Sequence, residues 1–238
     1  MNYSACSYII FLNFTPMKMV ITAATQGEWM PSFSNINPLY TGGNSAFKVS
    51  FHQSGVGMLS TAVSLTKLIF EEKPDLIIQV GIAGTFDANI QLGKVIVVGT
   101  ESLGDLGVFE NGIWKDIFDM KLEQADCPPY EESRLPNHWL TEYNLENLAE
   151  ASSVTVNEIS TDKNRINQLL EKYNPVIESM EGAALHYVCR QMNIPFMQVR
   201  AISNYVGERD KTKWQIKLAI DNLNDVLLKL IDKLYTKQ

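Results

Sequence analysis

Short apolar runs recur along the chain, each bounded by polar residues, proline or glycine. Runs of this kind, rich in valine and isoleucine, predict buried β-strands. Their sequences are "MVITAA", "DLIIQVG", "KVIVVGT", "SVTVNEI" and "IPFMQVRAIS", and they begin at Met19, Asp75, Lys94, Ser153 and Ile194. The pattern therefore predicts a sheet built from these segments.

Three other segments, 58–71, 180–192 and 213–235, have apolar residues at helical spacing. Because strand and helix alternate, the pattern favours an α/β fold with helices on both faces of the sheet. The polar, proline-containing segment 126–139 predicts a loop rather than a domain linker. In sheets of this type ligands bind beyond the carboxyl ends of the strands, so we expect the chemistry there.

The length of 238 residues is typical of one α/β domain. We assign residues 17–238 to that domain. Residues 1–16 contain "SYIIFLNF", which is apolar but short, lacks a basic start and is followed by Pro16. We expect residues 1–16 to be a disordered extension or a start-site artefact, with a cleaved signal peptide as the alternative. The remaining chain has no stretch of the ~18 apolar residues that a membrane span needs.

The formal net charge of −7 argues against nucleic acid or an anionic membrane as the main partner, because either would need a basic face. A small molecule is the better expectation. The three cysteines, Cys6, Cys127 and Cys189, have neither CxxC nor CxxxH spacing. The histidines likewise show no spacing typical of metal ligands. We therefore expect a cytoplasmic protein without a disulfide framework or a bound metal.

Glu181 lies in a helical pattern whose row of Ala184, Leu185, Val188 and Met192 is otherwise apolar. A carboxylate that points inward needs hydrogen-bond donors. One interpretation is an acid in the first helical turn, favoured by the helix dipole. The other is that its two oxygens accept hydrogen bonds from the paired hydroxyls of a ribose.

Asn204 and Glu28 each follow a predicted strand. Asn204 comes after "FMQVRAIS", and an ordinary turn asparagine is the alternative to a group that binds a heterocycle through its amide. Glu28 stands in "ITAATQGEWMP", where an acid can simply start a helix. If Glu28 reaches the site, it can orient and deprotonate a water molecule.

Two glycine-containing turns, "SGVGMLSTA" and "VGIAGTFD", match neither a dinucleotide nor a P-loop motif. Together with "LGKVIVVGT", "SMEGAA" and "VRAISN", however, they occur in the order found in the purine nucleoside phosphorylase and nucleosidase superfamily, which the chain resembles over nearly all of 17–235. The resemblance implies a single α/β domain with a central mixed, mostly parallel sheet, a nucleoside substrate, no cofactor and a homo-oligomer.

The resemblance also implies roles for individual residues. Met180 would pack against the sugar, Glu181 would bind the ribose hydroxyls, and Glu28 would activate water. The positions expected to line the sugar and base, the last two by looser alignment, are Gly81, Ile82, Ala83, Gly84, Val56 and Ile159.

Two departures from the superfamily pattern narrow the expected function. Adenine-releasing members carry an Asp that protonates the base where this chain has Asn204, so the amide favours a 6-oxopurine such as hypoxanthine. Phosphorylases carry an Arg and a hydroxyl residue where this chain has Gln79 and Ile82, so water is the expected nucleophile.

The closer likeness is to the futalosine hydrolase family, through "ESLGDLG", "SMEGAALHYVC" and "RAISNYVGERDKTKW". Its substrate carries an aromatic carboxylate, for which Arg209 and Lys211 are candidate contacts, with solvated surface charge as the alternative. Three other functions stay open: a methylthioadenosine-type nucleosidase, a phosphorolytic enzyme, and a non-catalytic nucleoside-binding relative.

Overall fold

A central β-sheet is built from apolar strands whose alternate residues enter two different cores. The computed structural model describes residues 17–41 and 47–237, so the expectation for residues 1–16 falls outside the described residues. The strands are β1 Met17–Ala23, β2 Phe47–Gln53, β3 Leu76–Thr85, β4 Val95–Leu103, β5 Gly107–Glu110, β6 Ile113–Asp116, β7 Leu135–Pro136, β8 Glu150–Thr155, β9 Ile177–Ser179 and β10 Phe196–Tyr205.

The α-helices alternate with these strands along most of the chain. They are α1 Met30–Asn35, α2 Pro38–Thr41, α3 Met58–Glu72, α4 Leu140–Tyr143, α5 Lys163–Tyr173, α6 Gly182–Met192 and α7 Ile216–Thr236. The three predicted helices correspond to α3, α6 and α7. The five predicted strands correspond to β1, β3, β4, β8 and β10, although β8 ends at Thr155 rather than continuing to Ile159.

The sheet is mixed and mostly parallel. β3 pairs in parallel with β1 and β10, and β1 pairs in parallel with β2. β8 pairs in parallel with β4 and β9, whereas β10–β4, β3–β9 and β4–β7 are antiparallel. Because β3 contacts both β10 and β9, the strands β3, β10, β4, β8 and β9 form a closed ring. This arrangement confirms the predicted fold class.

Helices cover both faces of the sheet. Met19 and Ile21 of β1 share a buried cluster with α7, which contributes Leu223 and Leu227. Val20, which points to the opposite face, packs in a second cluster with side chains of α3 and α6. Alternation along a strand that is buried on both sides explains why its apolar run is continuous.

In the part of the chain that the structure describes, no helix has the length and apolar character needed to cross a membrane. The same residues contain no group of three or more His, Cys, Asp or Glu side chains placed to hold a metal ion. His186 is fully buried, and its Nδ1 donates to the carbonyl oxygen of Leu135 at 2.7 Å. It therefore belongs to the protein interior.

Candidate active site

A cavity of about 360 Å³ opens where the carboxyl ends of β1, β3 and β10 meet the beginning of α6. Of the catalytic, sugar-binding and base-binding residues that the sequence predicted, all except Gly81 line it. They are Glu28, Val56, Ile82, Ala83, Gly84, Ile159, Met180, Glu181 and Asn204. The structure therefore brings together segments separated by more than a hundred residues of sequence.

Gly81 lies beneath the cavity and makes room for other side chains. A Cβ at this position would overlap the Arg200 guanidinium and lie 3.0 Å from Glu28 Oε1. The absence of a side chain at Gly81 therefore leaves room for both Arg200 and Glu28.

Glu28 ends a short 3₁₀ turn, Gln26–Glu28, directly after β1. Its Oε2 accepts the Thr25 backbone N–H at 2.9 Å, and its Oε1 accepts the Ile82 backbone N–H at 3.3 Å. Burial raises the pKa of Glu28, although the Thr25 N–H and Arg200 oppose the rise; the charge of Glu181 adds to it. A half-buried carboxylate with a raised pKa, held by two backbone donors, is suited to act as a general base.

Glu181 occupies a different position from the one its periodicity suggested. It directly precedes α6, which begins at Gly182, and therefore lies outside the helix. Its Oε1 accepts the backbone N–H of Gly57 at 3.0 Å. Gly57 has a φ of 86°, a left-handed conformation that favours glycine, in the turn before α3. Glu181 Oε2 lies 3.8 Å from Arg200 Nη1.

Arg200 is a buried cation next to Glu28 and Glu181 that sequence reasoning missed. It lies on β10 at 1% exposure, and its Nη2 donates to Gln79 Oε1 at 2.6 Å. Its positive charge stabilises the ionised form of Glu28. The only signal was a charged residue inside the apolar run "IPFMQVRAIS". The same contact shows that Gln79, at the position of the phosphorylase Arg, binds an internal guanidinium.

Asn204 lies within β10, which continues to Tyr205, rather than in the loop after the strand as the sequence suggested. Its Oδ1 accepts the Ser203 hydroxyl at 2.8 Å, and its Nδ2 donates to the Tyr205 carbonyl at 3.1 Å. The backbone carbonyl accepts only, so it fixes the orientation of the amide. Among the residues that the structure describes, Nδ2 has no second acceptor, so its other hydrogen can serve a ligand.

Charged residues near the cavity mouth differ in their placement. Arg209 lines the cavity, with its guanidinium carbon 5.5 Å from the centroid of the Trp214 ring. Lys211 begins a 3₁₀ turn and does not line the cavity. Arg209 and Lys211 were the two candidate contacts for a substrate carboxylate. Of the two, only Arg209 lies at the cavity.

The family model of the phosphorylase superfamily matches residues 22–232. A 5′-methylthioadenosine/S-adenosylhomocysteine nucleosidase of Bacillus velezensis is 24% identical over 204 residues, which cover 82% of this chain and 85% of that protein. The enzyme of the same name from Maridesulfovibrio salexigens is 27% identical over 210 residues, which cover 81% of this chain and 87% of that protein.

Solved structures share the fold at lower identity. A futalosine hydrolase mutant of Helicobacter pylori has a TM-score of 0.76 at 16% identity, covering 91% of this chain and 99% of that one. A methylthioadenosine/S-adenosylhomocysteine nucleosidase of Colwellia psychrerythraea in complex with adenine has a TM-score of 0.74 at 20% identity. The match covers 94% of this chain and 98% of that one.

The chain shares its fold with these solved structures, and its cavity lies at the carboxyl ends of the strands. The chain belongs to the phosphorylase superfamily, whose family model it matches over residues 22–232. The curated relatives named above are nucleosidases.

Proposed function

We propose that the protein hydrolyses the N-glycosidic bond of futalosine, releasing hypoxanthine and dehypoxanthine futalosine in the futalosine route of menaquinone biosynthesis. The observation that carries this proposal is Asn204 on the cavity wall, where an adenine-releasing relative needs an ionising acid. An amide cannot protonate a leaving base, but it can donate a hydrogen bond to a 6-oxopurine, which spreads negative charge onto its oxygen.

In the proposed mechanism the bond between C1′ and the base nitrogen breaks while positive charge develops on the ribose. Glu181 accepts hydrogen bonds from the ribose hydroxyls, and Met180 packs against the sugar. Glu28 takes a proton from the attacking water, whose oxygen bonds to C1′. The base leaves with the electron pair of the broken bond, Asn204 stabilises its developing charge, and solvent returns a proton to it. No cofactor or metal takes part.

Water as the nucleophile is supported by the partner of Gln79. The side-chain oxygen of Gln79 accepts a hydrogen bond from Arg200, and the Ile82 side chain at the cavity has no hydroxyl group. A phosphate anion would therefore lack two of the donors that phosphorylases supply at these positions.

The second candidate is a methylthioadenosine/adenosylhomocysteine nucleosidase, favoured by the names of the curated relatives. The deciding experiment incubates purified protein with futalosine or methylthioadenosine, each with and without phosphate, and separates the released bases. Phosphate-independent hypoxanthine release from futalosine supports our proposal, whereas preferential adenine release from methylthioadenosine identifies the second candidate. Base release that requires phosphate would indicate a phosphorolytic enzyme.

The nucleosidase is further proposed to be a cytoplasmic homo-oligomer. Leu59, Val63 and Phe70 follow one another at helical spacing on the outer side of α3, with exposures of 80%, 63% and 68%. Val56, which lines the cavity, is also exposed and directly precedes this stripe. A second copy packed on α3 would remove this apolar surface from water.

A further inference from the structure

A polar residue, Asn224, interrupts the apolar stripe of α7 that packs on the sheet. Leu223 and Leu227 of the same stripe are buried, and Asn224 itself is only 3% exposed. An amide among apolar side chains is costly unless its donors and acceptors have partners. Asn224 has no part in the mechanism above, so its partners indicate what it does.

The side-chain amide of Asn224 uses its full hydrogen-bonding capacity. Its Oδ1 accepts the backbone N–H of Ser32 at 2.9 Å and the Ser32 hydroxyl at 2.6 Å. Its Nδ2 donates to the carbonyl oxygen of Ile220 at 2.8 Å and to that of Glu28 at 2.9 Å. Because a backbone N–H only donates and a carbonyl only accepts, these partners fix the orientation of the amide.

The bond to Glu28 joins α7 to the residue proposed as the general base. Glu28 precedes Asn224 by 196 positions and ends the 3₁₀ turn Gln26–Glu28. Ser32 follows four residues later in α1 and is fully buried. Asn224 therefore binds this stretch of chain at two points and holds it against α7.

The backbone position of Glu28 determines where its carboxylate lies. One carboxylate oxygen accepts the N–H of Thr25, in the same stretch of chain, and the other accepts the N–H of Ile82 on β3. The Ile82 bond joins two separate elements and is 3.3 Å long. A small displacement of the turn would break this bond, because hydrogen bonds weaken beyond about 3.2 Å.

We propose that Asn224 is a positioning residue, which holds the Glu28 backbone carbonyl so that the Glu28 carboxylate faces the attacking water. This inference rests on the general-base role in the proposed function, but it does not depend on which purine base leaves. A single planar amide suits this task, because it donates to Glu28 on one side and accepts from Ser32 on the other.

The first test follows Glu28 itself and needs no turnover. The variants are Asn224→Ala and its control Asn222→Ala, since Asn222 of α7 donates to the carbonyl oxygen of Gly93 at 2.8 Å, away from the cavity. Carbon-13 NMR of labelled glutamate carboxyl groups follows the titration, and Glu28→Gln assigns the signal.

The pKa of Glu28 depends on where its carboxylate lies, because burial raises it and the Thr25 and Ile82 N–H groups oppose the rise. N224A should therefore move the Glu28 titration away from its wild-type pH, whereas N222A should leave it unchanged. A titration that stays in place in N224A would overturn the proposal.

The second test is kinetic and uses whichever nucleoside the wild type cleaves faster. N224A should lower kcat about 10- to 100-fold with only a few-fold change in KM, because a misplaced catalytic group slows the chemical step. In an E28Q background N224A should have no further effect, since no base remains to be positioned. Equal losses in both backgrounds would contradict the role of Asn224, and N222A should keep wild-type kcat.

The outcomes separate this inference from the proposed function. Adenine release by the wild type would contradict futalosine as substrate but would leave both tests intact. If no nucleoside is cleaved, the proposed function fails and the Glu28 titration still decides the role of Asn224. If N224A does not fold, Ser32→Ala decides: it removes the hydroxyl that fixes the amide and should lower kcat about 2- to 10-fold. Wild-type kcat and titration in S32A would then overturn the proposal.

Discussion

At the scale of single residues, Glu28 has the most demanding role. If it removes the proton from water, Glu28→Gln should lower kcat by at least about 100-fold, because general-base catalysis typically contributes a factor of 10² to 10⁴. The dissociation constant for hypoxanthine should change only a few-fold, since Gln keeps the shape of the side chain. Steady-state rates and base titrations measure the two quantities. Glu71→Gln, an exposed glutamate on α3, is the control. Full activity in E28Q would remove Glu28 from the mechanism.

The pH profile tests how Glu181 and Glu28 interact. Glu28 must be ionised to act, so kcat/KM should fall as the pH decreases through its raised pKa, above the ordinary 4.5. The negative charge of Glu181 contributes to this rise. Glu181→Gln should therefore lower the pKa of Glu28 and move the acid limb to lower pH, besides raising KM. An acid limb that does not move would mean that another group controls it.

Sequence reasoning found residues whose chemistry contrasts with their immediate surroundings. Glu181 and Asn204 interrupt or follow apolar patterns, and Glu28 follows a strand. It missed Arg200 on β10 and Glu178 on the cavity wall, because both residues take their partners from distant parts of the sequence. Gln79 lies 121 positions before Arg200, and Glu178 acquires its neighbours only through strand register.

At the scale of elements, the start of α6 determines where Glu181 is held. Gly182 packs so closely that a Cβ would overlap both Glu101 Oε1 and the Gln198 amide. These side chains are fully buried, and Thr155, which donates to Glu101 Oε2, accepts the Ala183 backbone N–H at 2.8 Å. The first turn of α6 is therefore fixed against the sheet.

Gly182→Ala should destabilise the protein by about 1–3 kcal/mol, because an added methyl group overpacks a buried contact. It should also raise KM by displacing Glu181. The matched control is Gly99→Ala: a Cβ there would also overlap a glutamate, but Glu150 is exposed and can move. Denaturant unfolding and steady-state kinetics distinguish the two variants. Equal, small effects would show that the contact under α6 is loose.

Element prediction succeeded where burial gives a strong pattern and failed where it does not. The two-sided burial of β3 and β10 produces continuous apolar runs, and α7 has an apolar stripe facing the sheet. α5, with Leu169 and Tyr173 as its buried residues, is too polar to show such a stripe, and β9 has only three residues. Glu181 was assigned to a helix because the pattern of α6 continues past its true beginning.

At the scale of the whole molecule, the exposed stripe on α3 tests the proposed assembly. Sedimentation velocity should give a mass that is a multiple of 26.8 kDa for the wild type. A Val63→Glu/Phe70→Glu double variant should shift toward the single-chain mass, because charge on this surface opposes burial in an interface. Leu122→Glu, at another exposed apolar position, should not shift it. A wild type that sediments as a single chain would contradict the proposal.

The global architecture was predictable because strand–helix alternation leaves few ways to cover a sheet. The closed ring of β3, β10, β4, β8 and β9 was not, because it requires β3 to pair with different strands along its length. That ring is what places Glu178, Gly84 and Asn204 in one row.

The central claim is hydrolysis of a 6-oxopurine nucleoside by water, and labelled water tests it most directly. Futalosine is incubated with the protein in H₂¹⁸O, with and without phosphate, and the products are analysed by mass spectrometry. We predict hypoxanthine without label and a ribosyl product carrying one ¹⁸O atom at C1′, formed at the same rate in both conditions. A C1′-phosphorylated product, or no release of hypoxanthine from futalosine, would contradict the account.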